Sequence, residues 1–329
     1  MGVFTLHGSP RTTSSPGRGA ARHPLRQTAV LTGALLLAAG CTAAHDQGAA
    51  PVGSMGPLPT ASPSPTALPY GQVLESYVSP VSNALAQLTQ AGSLDDLNTA
   101  LASAQQAASA GAQGLQGEDA PSAVGDTHRQ LYVALGSLAT DLGAVQSDIS
   151  SSKVCATSSA LAETGQSQGL KDVATALQTL SAAGYSSTFT VPQLPQPQQR
   201  ALDNGAWVRK GSADGSGELT VDNTSGTTDA VLSLVKDGQS AYSFYVLKGK
   251  STKVTGIEDG TYNIFFTGGL DWDDSTKKFT QSCEFTKFDD TADFTTTSST
   301  YQTYTLTLSA SVGGNAQTDT VPPDTYPVP

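Results

Sequence analysis

Histidine is scarce in this 329-residue chain: four occur, His7, His23, His45 and His128. The first two lie in a basic N-terminal stretch, and none falls after residue 128. A Ser-His-Asp or Cys-His nucleophile would have to recruit His128 from far along the chain, and the usual zinc ligand sets lack their imidazoles for the same reason. No phosphate-cradling glycine motif follows a strand and opens a helix, so nucleotide chemistry has no sequence support. Basic residues are outnumbered, with 17 Lys+Arg against 28 Asp+Glu. That balance argues against nucleic acid and anionic headgroups, which are bound through Lys and Arg. Long apolar runs are also missing. The longest, 29–39, is well short of the roughly 20 residues of a spanning helix.

That short run is nonetheless the most informative stretch. Arg11, Arg18, Arg22 and Arg26 precede it, and no acid occurs before Asp46. A basic region, a short apolar region and small residues after it make a secretory signal peptide. There is no Arg-Arg pair to suggest twin-arginine export. The run ends Leu37-Ala38-Ala39-Gly40-Cys41, which resembles the lipobox of bacterial lipoproteins. The family favours Leu three places before the cysteine, where this chain has Ala38. The resemblance implies cleavage after Gly40, a diacylglycerol on the Cys41 thiol, and a lipid anchor on the extracytoplasmic face of the cell membrane. Two acyl chains hold a protein stably where one does so only marginally. An ordinary cleaved signal peptide and an uncleaved anchor are the alternatives. Removing 1–40 leaves 13 basic residues against 28 acids, a net charge of −15. Such a charge favours solubility and leaves divalent cations as surface partners.

Five segments follow from composition and period: the signal 1–40, a disordered Pro/Ser/Ala-rich tether 41–69, a four-helix bundle 70–185, a linker 186–200 and a β-sandwich 201–329. The tether has six prolines and no apolar period, so it cannot bury enough surface to offset its ordering. In the first helix Leu74, Tyr77, Val78, Val81, Leu85 and Leu88 recur at steps of mostly three and four, with Pro80 inside the pattern as an expected kink or break. Ser93 with Asp96 reads as the cap of a second helix, with Leu94, Leu97, Leu101, Ala104 and Ala108 on one face, much of it small. Leu131, Leu135, Leu138, Leu142, Val145 and Ile149 make the clearest seam. A fourth helix carries Leu170, Val173, Leu177 and Leu180. The stretch 150–168 is ambiguous, with room for a short helix around Leu161. Short connections favour an antiparallel bundle.

After the proline-rich linker the period becomes two. Tyr304, Leu306, Leu308 and Ala310 alternate with Thr303, Thr305, Thr307 and Ser309, and shorter alternations recur between turn signals such as Asp237-Gly238 and Asp259-Gly260. About seven short strands predict an antiparallel β-sandwich or barrel, of which the sandwich is the reading taken, giving an α+β multidomain chain. The stretch 249–262, GKSTKVTGIEDGTY, resembles a hairpin of prealbumin-like and carboxypeptidase-regulatory-like sandwiches. The wider span 217–316, ending Gly313-Gly314-Asn315-Ala316, is similar to a sandwich module of bacterial exported proteins. These resemblances imply a structural or binding role and supply no catalytic residue.

Cys41 aside, two cysteines remain, Cys155 and Cys283. Export permits a disulfide, which would clamp the two domains and close a loop worth about 5 kcal/mol in the chain-entropy model. Two separately buried thiols are the other possibility. Asp271, Trp272, Asp273 and Asp274 put three acids beside an indole, in what reads as a loop. Oxygen-rich loops suit Ca²⁺, but the central Gly and distal Glu of an EF-hand are missing, and a solvated hairpin loop is the plainer reading. Asp289-Asp290 could join only if the fold brought them near. Paired acids about 5–10 Å apart would serve a glycosidase. Among Trp207, Tyr242, Tyr245, Tyr262, Trp272, Tyr301 and Tyr304, most rings are expected to fill the core, with Trp272 the best candidate for exposure. No cofactor or resident metal is expected. The function expected is a non-catalytic, lipid-anchored interaction or scaffold module, with an envelope protein or glycan as partner. Carbohydrate or cell-wall binding through exposed rings comes next, then a carboxylate hydrolase.

Overall fold

A computed structural model describes residues 5–7, 69–308 and 317–329. Cys41, His45, the rest of the tether up to residue 68 and 313–316 lie outside the described residues. Five α-helices form the N-terminal part: α1 Tyr70–Leu88, α2 Leu94–Gln116, α3 Gly125–Ser150, α4 Thr157–Gln166 and α5 Gln168–Ala182. The one beyond the four periodic segments is α4, in the stretch around Leu161. Helix α1 runs through Pro80 without ending. Pro80 lies on the exposed face, where water can satisfy the Ser76 carbonyl that has lost its N–H partner.

Sequence order sets the packing: α1 lies on α2, α2 on α3, and α3 on α5. The leucines of the α3 seam are fully buried, as are Leu74, Val81, Leu97 and Leu101. Ser93 caps α2, accepting from the Asp96 N–H and donating to its carboxylate. The small face of α2 admits close approach. A Cβ at Gly114 would enter the Tyr77 ring of α1, and one at Gly169 would collide with the α3 backbone at Leu138. Asp141 of α3 receives the Gly169 N–H and the Ser167 hydroxyl, so one helix caps the next. His128 is buried. Its Nε2 lies 2.8 Å from the Leu115 carbonyl, which can only accept, so this nitrogen carries the proton. Nδ1 lies 2.9 Å from the Tyr70 hydroxyl and, in the neutral ring, accepts from it.

The remaining elements form two sheets. Their strands are β1 Thr5–His7, β2 Trp207–Arg209, β3 Gly217–Asn223, β4 Asp229–Lys236, β5 Gln239–Val246, β6 Lys250–Ile257, β7 Gly260–Asp273, β8 Lys278–Phe294, β9 Thr303–Thr307 and β10 Thr318–Thr320. One sheet has the order β1-β9-β3-β6 and the other β10-β8-β7-β4-β5-β2. Every pairing is antiparallel except β3 with β9. That exception to the expected antiparallel pattern has a topological cause. β9 follows β8 but joins the other sheet, so no tight hairpin constrains its direction. Both sheets feed one apolar cluster, in which Leu219, Val221 and Leu306 meet Leu232, Phe244 and Ile264. The Asp237-Gly238 turn has φ of 51° and 76°, the two left-handed residues a tight β4–β5 hairpin requires.

Candidate functional site at the helix–sheet junction

The long hairpin of β7 and β8 carries the residues that sequence reasoning singled out. Its ladder slips between Gly268 and Leu270 of β7, opposite Ser282 of β8, whose φ is 51°. A bulge of this kind re-aims the strand edge. Here it offers backbone groups to the segment between α3 and α4. Cys155 N–H donates to the Thr280 carbonyl, Ser282 N–H to that of Lys153, and Cys283 N–H to that of Ser152. The Ser159 hydroxyl adds a bond to Thr280 O at 2.8 Å. Beside this short ladder Cys155 and Cys283 form a disulfide, with Cα atoms 6.3 Å apart and a sequence separation of 128.

A second fastening lies on β7. The Arg200 guanidinium grips Asp271 from two nitrogens, at 2.9 and 2.8 Å, and the Arg200 backbone N–H donates to the same carboxylate at 2.8 Å. The Thr280 hydroxyl supplies a fourth bond at 2.6 Å. Burial pushes the Asp271 carboxyl up, but the Arg200 and Thr280 bonds outweigh it and hold the group down at about 2. The Arg200 carbonyl accepts from the Trp272 N–H. The end of the linker is thus stapled to β7 by a bidentate ion pair and backbone bonds.

These positions correct the expected acidic loop. Asp271, Trp272 and Asp273 belong to β7, and only Asp274 lies in the turn. Trp272, expected to be exposed, is 1% exposed. Its ring packs edge-on against Tyr245 and Phe279, with centroids 6.0 and 5.0 Å away, and its Nε1 donates to Asp274. The cover comes from Leu202, Ala206 and Val208, beyond the linker. A solvent-facing indole for sugar stacking is therefore absent at this position. Of the seven large rings named above, only Tyr301 is strongly exposed.

The carboxylates are occupied by protein donors. Asp273 accepts from the hydroxyl and N–H of Ser275 and faces Arg200, and its pKa is lowered chiefly by the Ser275 hydroxyl. Asp274 is lowered chiefly by Lys277. Nearby Asp229, buried in β4, accepts from Tyr245 Oη at 2.7 Å and from the Lys248 N–H at 2.8 Å. Burial, reinforced by that bond, pushes the Tyr245 phenol up. Asp289 and Asp290 lie in β8 near Thr291, which pairs with Asn263. Eight residues of strand separate Asn263 from Asp271, roughly 25 Å, so the two acidic groups do not converge. Among the described residues no three His, Cys, Asp or Glu side chains are grouped to hold a metal ion.

A cleft of about 430 Å³ opens where these parts meet, lined by Gln198, Arg200, Asp229, Lys248, Asp271 and Gln281 among others. Arg200 and Lys248 face it with both carboxylates already bonded, so its chemistry is that of a polar, charge-balanced groove. Arg200 is the residue sequence reasoning missed. It is the lone cation between Lys171 and Arg209, which was the available signal. Comparison with protein-family models, curated proteins and solved structures returns no match.

Proposed function

We propose that this chain is an exported protein, anchored by lipid at Cys41 to the extracytoplasmic face of the cell membrane, and that its folded part is a non-catalytic interaction or scaffold module. The basic stretch, the apolar run and the Leu37–Cys41 pattern support the address. The observation that carries the module is the junction. A disulfide and a backbone ladder join the helical part to β8, and a bidentate ion pair fastens the end of the linker to β7 beside them, which suits a body that must present a fixed surface. A disulfide also fits an oxidising compartment. Among the described residues no helix is long and apolar enough to cross a membrane. The membrane is one partner and an envelope protein or glycan the other.

Fractionation of cells expressing the wild-type chain and Cys41→Ala tests the address. The wild type is expected in the membrane fraction and released by detergent. Cys41→Ala is expected to remain uncleaved at Gly40 and to bear no acyl chain. A variant with the same start and mass as the wild type would overturn the reading.

A further inference from the structure

β9 is the strand to which the N-terminal stretch adds. Leu308 N–H donates to Asp222 and Glu218 N–H to the Gln302 carbonyl, so even-numbered residues of β9 direct their backbone groups to β3. The odd residues Thr303, Thr305 and Thr307 direct theirs outward. There β1 pairs antiparallel, with Thr5 opposite Thr307, Leu6 opposite Leu306 and His7 opposite Thr305. The cleavage proposed above removes β1, and the inference rests on that reading. Its loss uncovers a five-residue edge, TYTLT, with no charge and no proline.

The other edges are guarded in the ways natural sheets use. β6 carries Lys250 and Lys253 and has Gly256 at φ 87°. β2 and β10 are three residues long, and β2 has a register slip. An unguarded edge is a template for strand addition.

We propose that the occupant in the processed protein is β9 of a second copy. The register of β1 carries this choice. If Leu306 of one chain faces Leu306 of the other, each Thr305 falls opposite the other chain's Thr307. The sequence Thr-Leu-Thr then stands where Thr5-Leu6-His7 stood, with two of three residues identical and the same outward N–H and C=O groups satisfied. The pairing is self-complementary about a two-fold axis at Leu306, as an isologous dimer requires. It joins two four-stranded sheets, each without β1, into one six-stranded sheet.

The test is disulfide crosslinking of the membrane-bound protein carrying Thr305→Cys and Thr307→Cys, read on non-reducing gels. Hydrogen-bonded antiparallel partners have Cα atoms about 5.5 Å apart, within disulfide range. Ser251→Cys with Lys253→Cys on the guarded edge is the comparison. The expected result is a covalent dimer for the β9 pair only. No dimer, or equal dimer from both edges, overturns the proposal. Intact mass of the same sample reports separately whether residues 1–40 have gone. If they are retained, the same cysteines in a full chain with Thr5→Pro and His7→Pro, which cannot form the β1 ladder, carry the test. A dimer is expected there too, and its absence overturns the proposal independently of processing. A third variant, Thr305→Pro, keeps the β3 side of β9 intact and is expected to sediment as a monomer. A dimer that survives it would contradict β9 pairing.

Discussion

Asp271 keeps its charge because four donors hold it: the Arg200 backbone, two Arg200 guanidinium nitrogens and the Thr280 hydroxyl. Its folded pKa of about 2 lies below that of an unfolded aspartate. A depressed acid contributes stability above the unfolded value, near pH 4, and loses it as pH falls through the folded value. Shifting the group from 3.8 to about 2 is worth about 2 kcal/mol. Wild-type denaturation midpoints should therefore drop between pH 4 and pH 2. Asp271→Asn should be about 2 kcal/mol less stable at pH 7 and should lose less over that interval. Equal pH slopes for the two proteins would contradict the role given to Asp271. His128 makes a parallel case in the bundle. His128→Phe leaves the Leu115 carbonyl and Tyr70 hydroxyl without their ring partners, and thermal unfolding should show a loss of about 2 kcal/mol.

At the scale of elements, two glycines test the packing of α3. A Cβ at Gly169 meets the Leu138 backbone, whereas one at Gly136 meets nothing within 4 Å. Gly169→Ala should destabilise by about 1–3 kcal/mol. Gly136→Ala, in an open helix interior, should stabilise by about 0.5–1 kcal/mol. Denaturant midpoints moving in the same direction would contradict this packing. The seams of α3 and α5 and the Asp237-Gly238 hairpin were legible in the sequence because each is a local pattern. The strand character of 270–273 was not. Asp271-Trp272-Asp273-Asp274 carries the composition of a turn, and what buries it arrives from Leu202, Ala206 and Val208, about 65–70 residues earlier. The ladder between 152–155 and β8 was equally hidden. It depends on a bulge at Ser282, a residue type that does not announce a left-handed backbone.

For the whole molecule, the Cys155–Cys283 bridge is a covalent constraint across a sequence separation of 128. The chain-entropy model gives about 5 kcal/mol for a loop of this length. Replacing both cysteines by serine should lower unfolding stability by about 2–5 kcal/mol, and reductant should have no effect on that variant. A wild type insensitive to reduction in the unfolded state would contradict the bond. The candidate site as a whole was legible only in part, since Cys155, Cys283 and Asp271 were named from sequence while Arg200, which holds Asp271, was not. The proposed address rests on the pattern of residues 11–41, which lies outside the described residues, and mass measurement is its test.

Intact mass of the protein from the membrane fraction addresses the central claim, a processed chain anchored through Cys41. The expected mass corresponds to a chain beginning at Cys41 plus a diacylglycerol, with or without a further acyl chain, and is absent from Cys41→Ala. A mass that begins elsewhere, or that retains residues 1–40, would contradict it.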